Sequence, residues 1–245
     1  MIVEFIGSTG AGKTTLISQV QGRLAQITDV TTSFDLVASP LGLRHVNHPT
    51  ARNLIQELVG FPFLIRSLRQ HKAFLLFMLR MLTRQAKLSI FMVNILRSLA
   101  RKIGVYEIIK RRQQNQIVLV DEGTVLLAHN VFVYSSALYT REEIAMFAIL
   151  VPLPDIIVYI KAPVDILVQR SLLRADPPRE IRSKNRALIE RHIHRAVEMF
   201  DQLTQADNIQ NRLLTVENSH SDYQECDEAV ESIVRFIINH KLAIK

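Results

Sequence analysis

The stretch Gly7-Ser8-Thr9-Gly10-Ala11-Gly12-Lys13-Thr14 fits G-x-x-x-x-G-K-[ST] without a mismatch and carries a third glycine inside it. Its context is the one such a motif demands. Ile2 to Ile6 is a short apolar run that reads as a buried strand, and Thr14 to Gln26 carries Leu16, Ile17, Val20 and Leu24 at helical spacing. Glycines let backbone N–H groups converge on phosphate oxygens where side chains would clash. The helix that follows adds a favourable dipole. Lys13 can reach the outer phosphates of a nucleoside triphosphate and the Thr14 hydroxyl can ligate Mg²⁺. Gly7, Ser8, Thr9, Gly10, Ala11, Gly12, Lys13 and Thr14 are therefore the candidate nucleotide contacts.

The rest of the chain alternates in the same style. Asp29 to Phe34, Gln116 to Val120, Asp155 to Lys161 and Arg212 to Val216 read as strands, mostly apolar on both faces. Helices are expected over Pro49 to Gly60, Thr124 to Leu138, Arg141 to Leu150, Val164 to Arg174, Ile181 to Ala206 and Tyr223 to His240. Pro62 to Arg112 reads as two or three helices broken near Thr83 to Ala86 and at Gly104. Such alternation predicts an α/β fold with a parallel sheet covered on both sides.

Composition narrows the class. A chain of 245 residues with 48% hydrophobic and 22% charged residues has the material for one large core. A lone cysteine, Cys226, excludes an intrachain disulfide and a Cys-cluster metal site, and fits a reducing, cytoplasmic setting. The start Met-Ile-Val-Glu-Phe-Ile-Gly has no secretory signature. No stretch offers the about 20 apolar residues of a membrane-spanning helix: Arg80 breaks the run Ala73 to Leu82. The positive excess sits in one segment, since Phe61 to Arg112 holds twelve Lys/Arg against one acid, Glu107. That segment is either a set of helices with solvated cations or the surface for an anionic partner, nucleic acid or acidic lipid.

Two further groups carry chemistry. Val118-Leu119-Val120 ends in Asp121-Glu122, and in an open α/β sheet ligands bind beyond the carboxyl ends of the strands. One of the two carboxylates can hold Mg²⁺ or its water, a role assigned to Asp121 beside Thr14. The other can accept a proton from a nucleophile. The blander role for Asp121 is to cap a helix opening near Thr124. Arg170 and Arg174 share one helix face, and Arg179 and Arg182 follow across Pro177-Pro178. Cations on a mobile segment can close over a transferring phosphoryl group. Glu4, inside the first strand, needs a partner if buried. His45, His48, His192 and His194 show no metal-ligand spacing. Asn218-Ser219-His220 follows the last strand at the ligand-facing edge, and Arg44 and Arg52 follow the second strand.

With these residues in place, the chain resembles P-loop kinases of the nucleoside and nucleotide kinase group, thymidylate kinase-like and deoxynucleoside kinase-like proteins among them. The resemblance rests on Gly7 to Thr15, on Val-Leu-Val-Asp121-Glu122-Gly123, and on Leu-Pro-Asp155-Ile-Ile-Val-Tyr-Ile-Lys-Ala-Pro163 with Arg170-Ser-Leu-Leu-Arg174. It implies a five-stranded parallel sheet of order 2-3-1-4-5. It also implies one domain over 1–245, a basic helical insertion at about 40–115 and a lid at about 174–183. Thr15 joins the nucleotide contacts, and Lys13, Asp121, Glu122, Arg170 and Arg174 become the catalytic set. Thymidylate kinases usually place Asp-Arg, and deoxynucleoside kinases Glu-Arg, where this chain has Asp121-Glu122. The pair also resembles the acidic strand end of ATPases.

The expected activity is transfer of the γ-phosphoryl group of ATP, with Mg²⁺, to a small hydroxyl or phosphate acceptor. The competing expectations are an ATP-hydrolysing switch working through the basic helices and a nucleotide-binding scaffold without turnover. A homodimer is compatible with either activity. The sequence lacks the Asn-Lys-x-Asp signature of guanine recognition.

Overall fold

The computed structural model describes residues 1–46, 48–84, 90–113, 115–134, 139–174, 185–219 and 227–243. Five strands form one parallel sheet: β1 (Ile2–Ile6), β2 (Val30–Thr32), β3 (Ile117–Val120), β4 (Ile156–Lys161) and β5 (Leu213–Glu217). Their order is β2-β3-β1-β4-β5, as the resemblance implied. Along β1 the side chains alternate. Val3 and Phe5 join the core under one layer of helices, while Ile2 and Ile6 face the other layer.

The first layer consists of α1 (Lys13–Ala25), α7 (Val164–Leu173) and α10 (Asp227–Ala243), with Ile189 and Ile193 of α8 (Arg186–Leu203). Across the sheet lie α2 (Ser33–Ala38), α3 (Pro49–Ser67), α4 (Lys72–Thr83), α5 (Ile90–Arg112) and α6 (Arg141–Leu150). A short α9 (Asp207–Gln210) precedes β5. No described helix is long and apolar enough to cross a membrane.

The second layer departs from the sequence expectations in three places. The second strand stops at Thr32, because the Thr32 hydroxyl accepts the Asp35 N–H and caps α2, which takes Phe34. The helix expected to end at Gly60 runs on through Pro62 to Ser67. Pro62 is on the exposed side, where water can satisfy the carbonyl that loses its partner. No break occurs at Gly104, in the middle of α5. Its Cα instead lies against Gly60 of α3. A Cβ at 104 would stand 2.7 Å from the Gly60 carbonyl carbon and 2.8 Å from its Cα. Here glycine is the contact between two helices, which pack along much of their length.

The helix expected over Thr124 to Leu138 is also replaced. Among the described residues, helix is confined to Leu127–Val133, where Leu127 and Ala128 lead into a five-residue π-turn at His129–Val133. The backbone ahead of it is diverted: the Leu126 N–H donates to the buried Glu4 carboxylate at 2.9 Å, and the Thr124 hydroxyl donates to the Pro152 carbonyl. Residues 135–138, the segment 175–184 with Arg179 and Arg182, His220, Cys226 and Lys87 lie outside the described residues. Of the expected lid, only Arg174 is described.

Replacing Gly104 with Ala should destabilise the protein by about 1–3 kcal/mol through overpacking, although Ala has the better helix propensity. Gly60→Ala should cost less, because its Cβ would meet Gly104 Cα at 3.3 Å. Denaturant titration of the two variants reads the difference.

Candidate active site

Parallel pairing decides which groups can meet. Glu4 of β1 is in register with Val120 of β3, so Asp121 emerges beside the loop that follows β1. That loop reaches α1 through Gly10 and Gly12 at φ of 84° and 86°, the left-handed region open to glycine. A Cβ on Gly12 would strike the Asn218 amide. No side chain caps α1 and no acid lies in its first turn, so its leading N–H groups are available to an anion. The Lys13 ammonium donates to the Gly7 and Ser8 carbonyls at 2.8 and 3.0 Å. Burial lowers its pKa to about 8, opposed by Asp121 and Glu122, so it remains mainly cationic at neutral pH.

The acidic pair divides its work by position. The Thr14 hydroxyl donates to Asp121 Oδ2 at 3.4 Å. Burial raises the Asp121 pKa, against the pull of Lys13. Glu122 is shifted the other way: Lys102 is the largest influence, with Arg101 adding to it, and the carboxylate is held below its ordinary range. Arg101 Nη2 lies 3.1 Å from Glu122 Oε2. Thr14 and Asp121 together present hard oxygen atoms of the kind Mg²⁺ prefers, so the residues fit that ion.

Asn218, at the end of β5, is buried and ties the loop down. Its Nδ2 donates to the Ala11 carbonyl at 2.8 Å, and its own N–H donates to Lys161 at 2.7 Å. Arg170 Nη1 reaches the Gly10 and Asn218 carbonyls, each at 3.3 Å. A cavity of about 810 Å³ opens over this cluster, a size suited to small-molecule ligands. Gly7, Thr9, Gly10, Gly12, Lys13, Thr14, Thr15, Asp121, Glu122, Arg170 and Arg174 all line it, so most of the sequence-derived candidates share one cavity. Ser8 and Ala11 are buried within the loop. Arg44 and Arg52 do not line the cavity: Arg44 bonds Ser39 and Arg52 lies 4.2 Å over the Phe34 ring.

Sequence reasoning missed Lys102, Leu126, His129, Asn130 and Tyr134, which line the same cavity. His129 and Tyr134 meet edge to face with His192 close by, the His129–His192 ring centroids being 5.6 Å apart. Burial keeps both imidazoles neutral, His192 with its pKa lowered to about 4 and His129 well below the ordinary value. Lys102 left a readable trace. It falls at helical spacing with the buried Ile95 and Leu99, which puts a charge on an apolar stripe. The π-turn left none, since its cause is a carboxylate over a hundred residues away.

No family model and no curated protein matches the sequence. Solved structures do. A thymidylate kinase from Candida albicans is 12% identical, with a TM-score of 0.54, over 98% of this chain and 92% of its own. A shikimate kinase from Acinetobacter baumannii in complex with shikimate is 16% identical over 98% and 94% of the two chains. Its TM-score of 0.47 is too low to add to the case. The chain thus has the P-loop kinase fold.

Glu4 makes the site region sensitive to pH. It is fully buried, and burial raises its pKa to about 7, opposed by the N–H groups of residues 124–126 and by Lys102. The folded state therefore binds a proton more tightly than the unfolded chain, where glutamate titrates near 4.5. This contribution is fully present below pH 4.5, fades as pH rises toward 7 and is flat above it. Stability should fall by a few kcal/mol from this group across that window. In Glu4→Gln the fall should disappear, as measured by chemical denaturation at pH 5 and pH 8.

Proposed function

We propose that the protein is a phosphotransferase that moves the γ-phosphoryl group of ATP, with Mg²⁺, to a small hydroxyl or phosphate acceptor. One observation carries the reading. The Asp121-Glu122 carboxylates line one cavity together with the phosphate loop and with a second group of residues, Lys102, Leu126, His129, Asn130 and Tyr134, that is no part of that loop. In this reading the loop takes the triphosphate, and the rest of a cavity of about 810 Å³ takes the acceptor beside the carboxylates.

The residues divide the chemistry as follows. Loop amides, the start of α1 and Lys13 hold and orient the triphosphate. Thr14 and Asp121 would hold Mg²⁺, which when bound supplies charge neutralisation across the phosphate oxygens. Glu122, kept ionised by Lys102 and Arg101, accepts the hydrogen bond of the acceptor hydroxyl and then its proton. A weakly basic carboxylate suffices, because the transition state is loose and the leaving bond is largely broken before the nucleophile's proton must go. The acceptor oxygen forms its bond to the γ-phosphorus as the bond to ADP breaks. Arg170 and Arg174 add positive charge where it develops.

The competing reading is a hydrolysing switch that engages an anionic macromolecule. It draws on the exposed Arg66, Arg69, Lys72, Arg80 and Arg84 of the α3–α4 region. An ATP-coupled screen of nucleosides, nucleotides, sugars and hydroxy acids separates the two. Acceptor-triggered ADP release supports the kinase, whereas stimulation by DNA, RNA or anionic liposomes with no acceptor supports the switch.

Two variants sharpen the result. Lys13→Ala should abolish Mg·ATP uptake in calorimetry. Glu122→Gln should lower acceptor phosphorylation by about 10²–10⁴-fold with Mg·ATP binding retained; long-lived trapped ATP would favour the switch instead.

A further inference from the structure

We propose that the outer face of α3, with the start of α4, docks the protein on the surface of an anionic phospholipid bilayer. The inference concerns where the protein works and is independent of the reaction it catalyses. It starts from the side of α3 that stays in solvent. Leu54, Leu58, Phe61, Ile65 and Leu68 recur at steps of four, three, four and three, so they form one stripe along the helix and its C-cap. All five are 44–67% exposed. The stripe is about 21 Å long at the helical rise of about 1.5 Å per residue. It is not the packed side of α3, whose buried residues are Gly60, Leu64 and Ser67, with Gly60 against Gly104 of α5. A single exposed leucine is ordinary; an ordered apolar row marks a contact surface.

Charge indicates what covers it. From Leu58 to Tyr106 the sequence has no Asp or Glu. In that stretch Arg66, Arg69, Lys72 and Arg80 are exposed and make no ion pair among the described residues. On α4, Leu76 and Leu79 are exposed between Lys72 and Arg80, the same mixture of apolar and cationic side chains.

The candidate occupants differ in how well they answer both features. A second copy meeting this patch across a two-fold axis would set cations against cations. Nucleic acid answers the charges but not the row: strand binding draws on stacked aromatic rings, and Phe61 is the row's single one. An acidic protein would need its charges placed in register with these cations. Anionic lipid needs no register and answers both features. Leucine and phenylalanine enter the boundary between headgroups and acyl chains, while the long stems of Arg and Lys carry their charges out to the phosphates. No described helix is long and apolar enough to cross a membrane, so the contact is with the surface.

The test is flotation of the full chain with vesicles of phosphatidylcholine alone or of equal parts phosphatidylcholine and phosphatidylglycerol. The protein should partition to the mixed vesicles at least tenfold better than to the neutral ones, and the difference should shrink with added salt. Leu58→Ser with Ile65→Ser, and separately Arg66→Glu with Arg69→Glu, should each lower partitioning at least tenfold at an unchanged melting curve. The chain has no tryptophan, so Phe61→Trp reports on the row directly. Its emission should move to the blue on mixed vesicles, while that of Ile27→Trp, an exposed site beyond α1, should not.

Flotation with an unshifted Phe61→Trp emission would overturn the proposal, since the apolar row would then play no part. So would failure to float. In that event sedimentation velocity and titration with single-stranded DNA identify the occupant instead: a dimer dissolved by Leu58→Ser with Ile65→Ser, or DNA binding that survives those changes. None of these readouts involves turnover, so loss of docking leaves the phosphotransferase reading standing, and failure of that reading leaves the docking test intact.

Discussion

The neighbourhood of β1 and β3 is the constraint from which the site follows. Two parallel strands in register deliver their carboxyl ends to one edge, so the glycine loop after Ile6 and the acids after Val120 meet without any direct link in sequence. Parallel pairing requires both strands to be buried on both faces, which is why each is apolar apart from Glu4. That single exception is itself structural. Its carboxylate takes up backbone N–H groups after Gly123, ahead of the π-turn whose His129 and Asn130 line the cavity.

How much of this was legible depends on how local the cause is. The glycine loop and the Asp121-Glu122 strand end could be read because each is a contiguous pattern, and the order of the sheet followed only from the resemblance those patterns carry. The capping box at Thr140 and Glu143 opens α6 at Arg141, where periodicity alone had put it. The failures have non-local causes. Gly104 looked like a helix break because its partner, Gly60, lies 44 positions back in the chain. Thr124 to Leu138 looked helical because nothing in it reveals that Glu4 and Pro152 compete for its backbone and hydroxyl groups. Lys102 was not told apart from the other cations of its segment because net charge over a segment ignores which way each side chain turns.

Electrostatically, the acidic pair is asymmetric although its members are adjacent. Asp121 is raised by burial and Glu122 is lowered by its two cationic neighbours. Adjacent groups with opposed shifts are suited to different tasks, one to share an ion and the other to stay charged against an incoming hydroxyl. The cost of this arrangement falls on α5, which must keep two cations inside. The helix tolerates this because the rest of its inward surface is well packed, with Ile95, Leu99, Ile103 and Ile108 buried.

The close approach of α3 and α5 bears on where motion is allowed. Two helix axes brought together backbone to backbone leave no side-chain layer to slide or re-pack, so that wall of the cavity behaves as a fixed anvil. The part of α5 that lines the cavity, Lys102 within it, lies two residues from that contact and shares its backbone packing. A ligand entering the cavity therefore meets, on the α5 side, a surface set by backbone contact rather than by adjustable side chains.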